Sequence, residues 1–197
     1  MNKPEVMLVR HGQTEWSQTG QHTGRTDLEL LPAGEEQARA LAPVLGRVGF
    51  DLVLTSPRQR AQRTAELAGL AGGEVDEDLA EWDYGDFEGM TTKEIRAEHP
   101  DWSVWHGPWR GGETDAEVAA RADRVIARCL KEPTGSKVVL VAHGHILRVL
   151  GARWVGAEVQ AGRWLTLGTA AVCRLGWEHD YRSLQLWNWT TPAPASA

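Results

Sequence analysis

The chain has 197 residues with 42% apolar and 24% charged side chains, 21 glycines and a formal charge of −6. That composition suits one globular domain burying about two thirds of its unfolded surface. Its acidic balance provides no general basic field for nucleic acid or an anionic membrane. Neither the start nor any later apolar run reads as a signal peptide or a bilayer span. The only cysteines, Cys129 and Cys173, read as reduced core thiols, and the expected location is the cytoplasm.

The opening stretch "VMLVRHGQTEW" starts with four apolar residues, 6–9, too few for a core helix and so a predicted buried strand. Gly12 just beyond lets the backbone turn sharply and approach a ligand. The strand therefore ends by presenting Arg10 and His11 side by side, at the edge where open α/β sheets bind ligands. Residues 17–27, polar and glycine-containing, read as a loop. A helix is expected over 32–46, with Ala38, Leu41, Ala42 and Leu45 on one face and Pro43 kinking or restricting its last turn. "FDLVLTS" (50–56) predicts a second buried strand. "SPRQRAQRTAELAGL" (56–70) predicts a helix with Ser56 as N-cap and Pro57 in the first helical position.

Residues 74–79 predict a short strand leading into the acidic loop "EWDYGDFEG" (81–89). Residues 91–112 read as a small helix and an aromatic loop, holding three of the ten tryptophans: Trp102, Trp105 and Trp109. Thr114 and Glu117 form a capping-box pattern before a helix buried through Val118, Ala122, Val125, Ile126 and Cys129. "KVVLVAHGH" (137–145) repeats the opening theme, an apolar strand ending in histidine and glycine, before a helix through Leu147, Leu150 and Trp154. Two late β-rich runs, 170–177 and 183–189, precede a small Pro/Ala tail expected to be disordered. Alternating strands and helices imply an α/β fold with a largely parallel sheet. The expected organisation is one domain over 1–190 with a small lid insertion around 91–112, then the tail at 191–197.

In a parallel sheet the strand ends gather on one edge, so His11, His143 and Arg60 can converge although distant in sequence. Either histidine alone is well explained as a hydrogen-bonded structural residue, and an arginine near a helix start as a solvent-facing one. Their joint occurrence at successive strand ends is what points to a site. "HGH" (His143, His145) invites a metal reading, but alternate residues of a strand face opposite ways and no further ligands cluster nearby. The residues predict no metal and no cofactor. The tryptophans could stack on a sugar, although packing a lid is the plainer use.

"RHGQTEW", "SPRQRAQRT", "AEWDYGDFEG" and "VAHGH" together resemble the signature blocks of the histidine phosphatase superfamily, phosphoglycerate mutase-like branch. The blocks occur in that family's order and the similarity spans all but the tail. The resemblance implies a three-layer α/β/α sandwich with a mostly parallel central sheet, and chemistry through a phosphohistidine. By motif, His11 would be the nucleophile, and Arg10 and Arg60 would hold the phosphoryl oxygens. His143, with Gly144 beside it, would stabilise transition-state charge, and Glu81 would protonate the leaving oxygen. Ser17 stands where the family often has asparagine, and Thr23 and Gly24 match the "TG" of the substrate loop.

The longer blocks "GQTEWSQTGQHTGRTDLEL", "EWDYGDFEGMTTKEI" and "AHGHILR" are most similar to the acid phosphatase and sedoheptulose bisphosphatase-like subgroup. There a basic residue beyond the second histidine helps to hold a distal phosphate, which would be Arg148, with His22 on the same wall.

The physical requirements agree. A phosphate monoester spreads its charge over several oxygens, so catalysis is largely positioning and electrostatic stabilisation. Arginine forks suit those oxygens, and an attacking imidazole must be neutral, which neighbouring cations favour. The leaving alkoxide needs a proton, which Glu81 can give if burial or the approaching phosphate keeps it protonated; the same carboxylate can then activate water. Glu88, in "FEG", reads as structural. The expectation is a phosphomonoesterase of small phosphorylated metabolites, with the option of a homodimer open. A phosphoglycerate mutase is the alternative, although mutases of the family carry a longer, basic insertion after the acidic loop. A phosphate-binding adaptor without catalysis is the third reading.

Overall fold

The apolar runs at residues 6–9 and 137–142 become the two inner strands of one sheet. In the computed structural model, which describes residues 3–70 and 72–191, the strands are β1 (Glu5–Arg10), β2 (Leu52–Thr55), β3 (Glu74–Val75), β4 (Lys137–Ala142), β5 (Val172–Glu178) and β6 (Tyr181–Trp189). They form a 6-stranded sheet in the order β3-β2-β4-β1-β5-β6. The first four run parallel, whereas β5 pairs antiparallel with β1 and β6 antiparallel with β5.

The helices are α1 (Glu15–Thr19), α2 (Pro32–Leu45), α3 (Gln59–Leu67), α4 (Thr92–Glu98), α5 (Asp115–Cys129) and α6 (Gly144–Trp154). Strand periodicity divides them between two faces. Val6, Leu8, Leu54, Val138 and Leu140 pack with α5, α6 and Trp82. Val9, Val139 and Val141 pack with Leu41 and Leu45 of α2 and Ala61 and Ala65 of α3. The result is the expected three-layer sandwich, with Cys129 and Cys173 buried as free thiols.

Three local expectations are corrected. Residues 17–19 belong to α1, because Thr14 and Ser17 close a capping box that starts a helix in a polar stretch. Ser56 is not an N-cap: α3 starts at Gln59 after Arg58, and the Ser56 hydroxyl is bonded to His143. Residues 74–79 split into the two-residue β3 and a 3-10 turn, Glu77–Leu79, whose first N–H groups include one bonded to the Asp76 carboxylate. Most of the expected tail, 192–197, lies outside the described residues.

The register places the site. Arg10 lies opposite Ala142 and Thr55 opposite Val141, so β1, β2 and β4 end at one level. The bonds continue one residue further, with His11 N donating to Ala142 O and Ser56 N to Val141 O, each at 2.9 Å.

Candidate active site

His11 sits at this edge, 5% exposed. Its Nδ1 lies 2.7 Å from the Gly12 carbonyl. A carbonyl can only accept, so Nδ1 carries the proton and Nε2 keeps a free lone pair. Burial first, then the Arg10 and Arg60 charges, hold the imidazole pKa well below its usual 6.5. Gly12 permits the placement: a Cβ there would lie 2.2 Å from the Gly34 carbonyl oxygen.

His143 is fully buried, with its ring centroid 5.1 Å from that of His11. Arg60 Nε donates to His143 Nδ1 at 3.1 Å, so Nε2 bears the proton and donates to Ser56 Oγ at 2.6 Å. Burial, then Arg60 and His11, keep this imidazole neutral too. The Arg60 guanidinium also donates to Thr26 O at 2.8 Å and Thr23 O at 3.1 Å. Arg10 donates to Leu167 O at 2.5 Å, while its buried Nε has no partner among the described residues. Burial weighs against the charge of both arginines, and the Glu81 carboxylate opposes that effect.

Glu81 closes the group. Its Oε1 accepts from Trp82 N at 2.9 Å and Ile146 N at 2.8 Å, and its Oε2 from His145 N at 2.9 Å. The last two are otherwise unsatisfied donors in the first turn of α6, a favourable place for an anion. A cavity of about 160 Å³ opens over these groups, lined by Arg10, His11, Glu81 and Gly144 among others. A Cβ at Gly144 would meet the Arg10 guanidinium at 3.4 Å, an ordinary contact, so Gly144 lines the cavity without being dictated by space. Arg60 and His143 do not themselves line the cavity. The arrangement offers a neutral nitrogen nucleophile, one cation and a carboxylate around one anion-sized space, with the Arg60 guanidinium held behind it against His143.

The model of the histidine phosphatase superfamily (branch 1) matches residues 6–190. The chain belongs to that family. An acid phosphatase of Mycobacterium tuberculosis is 42% identical over 195 residues, covering 98% of this chain and 96% of its own. The sedoheptulose 1,7-bisphosphatase of Saccharomyces cerevisiae is 39% identical, with 80% of this chain and 69% of its own covered. A mycobacterial glucosyl-3-phosphoglycerate phosphatase, solved with VO3, superposes with a TM-score of 0.83 at 33% identity over 94% of this chain and 99% of its own. The chain is a histidine phosphatase of phosphorylated metabolites.

Around this phosphatase centre the remaining expected residues divide. Ser17, His22, Thr23 and Arg148 line the cavity. The Ser17 hydroxyl is used locally, donating to Thr14 O at 2.9 Å and accepting from Thr14 N at 2.8 Å. Gly24 is off the cavity wall, its N–H bonded to the Glu88 carboxylate at 2.9 Å, and a Cβ would lie 2.5 Å from Trp82 O. Glu88 also accepts from Thr26 N, so it ties the substrate loop to the acidic loop. Arg148 donates to Gly162 O at 3.0 Å and Arg163 O at 3.1 Å, with its guanidinium 4.7 Å from the Trp105 ring centroid. Among the described residues nothing else accepts from it, which leaves three of its five N–H groups for a ligand.

Tyr84 and His145 escaped the sequence reading. Both line the cavity, and the Tyr84 hydroxyl lies 2.6 Å from His145 Nδ1. Burial, then Glu81, pushes the phenol pKa well above 10, so the hydroxyl keeps its proton. The signal was the "HGH" motif, read as strand alternation; His145 instead belongs to the first turn of α6. The tryptophans pack: Trp102 and Trp105 are buried, and Trp109 stacks on Trp82 at 6.4 Å. None of the three lines the cavity. Among the described residues no three His, Cys, Asp or Glu side chains cluster as a metal site would require.

Proposed function

We propose that the enzyme hydrolyses sugar phosphates or bisphosphates through a phosphohistidine on His11. The observation that carries this reading is the His11 tautomer, with Nδ1–H spent on Gly12 O and Nε2 left free beside two cations. The Nε2 lone pair attacks phosphorus, forming an N–P bond as the P–O bond to the alcohol breaks. Glu81, taking up a proton as the substrate phosphate approaches, gives it to the leaving oxygen. Arg10 on the cavity wall and Arg60 behind it would hold the phosphoryl oxygens, and His143 would turn its Nε2–H from Ser56 to the charge of the transition state. Glu81 then takes a proton from water, whose oxygen bonds to phosphorus as the N–P bond breaks and its electrons return to Nε2. Gly144, Ser17 and Thr23 border the phosphate, and His22 and Arg148 the distal part of the substrate.

A yeast relative that acts as a bisphosphatase supports the bisphosphate reading, as do the uncommitted donors of Arg148. The free, buried thiols support a cytoplasmic enzyme. Among the described residues no helix is long and apolar enough to cross a membrane. Light scattering of the purified protein distinguishes monomer from homodimer.

The test is phosphate release from a panel of sugar phosphates, measured beside mutase turnover in the same sample. Labelling should give an acid-labile, alkali-stable phosphoprotein. His11→Ala should lose the adduct and at least about three orders of magnitude in rate, since the covalent route is gone. Mutase turnover exceeding phosphate release, or an adduct that persists in His11→Ala, would overturn the reading.

A further inference from the structure

Glu81 stands on a segment with no regular structure, between the 3-10 turns Glu77–Leu79 and Gly85–Phe87. Its carboxylate is anchored to α6, but its backbone needs a separate hold, because a catalytic group displaced by about 1 Å can lose about a hundredfold in rate. That hold comes from α5. We propose that Arg121, paired with Glu113, is a positioning residue that fixes the backbone around Glu81 and so aims its carboxylate at the leaving oxygen. The inference rests on the reading of Glu81 as the leaving-group acid.

Arg121 is largely buried, its side chain 11% exposed. Its Nη1 donates to Asp78 O at 2.7 Å and Ala80 O at 2.9 Å, and its Nη2 reaches Glu81 O at 3.4 Å. The same guanidinium forks onto Glu113, with Nε to Oε1 at 2.6 Å and Nη2 to Oε2 at 2.8 Å. Glu113 then grips the other side of the loop. Its Oε2 accepts from Asp83 N at 3.0 Å, its carbonyl from the Trp82 indole at 2.9 Å, and its own N–H donates to Asp83 O at 3.0 Å. One ion pair therefore holds the residues on both sides of Glu81.

Neither partner lines the cavity. His11 and Arg10 hang from the β1 end and Arg60 from α3, none of which bonds to Arg121 or Glu113. A loss confined to the loop should therefore spare nucleophilic attack and impair proton delivery. Lysine cannot replace the fork, because a single ammonium cannot span three carbonyls and both carboxylate oxygens.

The experiment compares kcat/KM, which excludes the later hydrolysis of the phosphohistidine common to both substrates, for glycerol phosphate, whose alkoxide must be protonated, and for para-nitrophenyl phosphate, whose leaving group needs much less help. Wild type, Glu81→Gln, Arg121→Ala, Arg121→Lys and Glu113→Gln are measured, each after a thermal melt confirms folding. Glu81→Gln should lower the alkyl rate more than the aryl rate. Arg121→Ala should do the same by about ten- to a hundredfold, with Arg121→Lys intermediate. Adding Arg121→Lys to Glu81→Gln should give no further selectivity. If Arg121→Ala does not fold, Arg121→Lys and Glu113→Gln decide. Equal loss on both substrates in the folded variants, with Glu81→Gln selective, overturns the role of Arg121 and leaves Glu81 standing. Equal loss in Glu81→Gln itself removes the acid reading and this inference with it.

Discussion

His22 gives a pH-dependent stability that can be worked out from its surroundings. Its ring packs 4.7 Å from Tyr84 and 5.2 Å from Trp102, with Nε2 3.2 Å from Thr92 Oγ1. Burial pushes its pKa from 6.5 down to about 4, against a smaller opposing pull from Glu88. The folded pKa lies below the unfolded one, so on acidification the unfolded chain takes the proton first. Stability from this group is complete above the unfolded pKa and is lost as pH falls towards the folded one. At about pH 5 the unfolded imidazole is almost wholly protonated and the folded one only about a tenth, a differential of about 2 kcal/mol.

The assay is urea unfolding followed by tryptophan fluorescence, at about pH 7.5 and about pH 5, for wild type and His22→Gln. Glutamine can still meet Thr92 but does not titrate, and pH-independent effects of the substitution cancel in the double difference. His11, His143 and His145 are also held neutral, foremost by burial, which the substitution leaves in place. Wild type should lose about 2 kcal/mol more than the variant on acidification. Parallel losses, within about 0.5 kcal/mol, would refute the claim that the folded site keeps His22 unprotonated.

Arg148→Ala should remove a preference for a sugar bisphosphate over its monophosphate by roughly ten- to a hundredfold, since each charge-assisted bond contributes roughly 1.5 to 3 kcal/mol. A preference that is absent, or unchanged by the substitution, counts against a distal phosphate at Arg148. Gly12→Ala should destabilise the fold by about 1–3 kcal/mol, because the colliding Gly34 oxygen is backbone and has no rotamer to escape into. An unchanged melting temperature would show that the start of α2 moves freely.

What the sequence determined by itself was the frame and the principal groups. Uninterrupted apolar runs admit few alternatives to buried strands, and hydrophobic periodicity assigned α2, α5 and α6 to the sheet faces. Two strands ending in histidine and glycine then placed His11 and His143 at one edge, since parallel strands must bring like ends together. Side-chain hydrogen bonding was not legible, because a polar residue's local pattern fits several partners and only tertiary packing chooses among them. Ser56 fits an N-cap, yet its hydroxyl serves His143. Gly24 fits a phosphate loop, yet its N–H meets Glu88. Glu81 could be recognised by motif, but its anchorage between α5 and α6 uses Arg121 and Ile146, 40 and 65 residues further along the chain. Periodicity within a window cannot report a bond of that range. Which nitrogen of each histidine carries the proton is also a tertiary fact, settled at His11 by a neighbouring carbonyl and at His143 by a guanidinium from another helix.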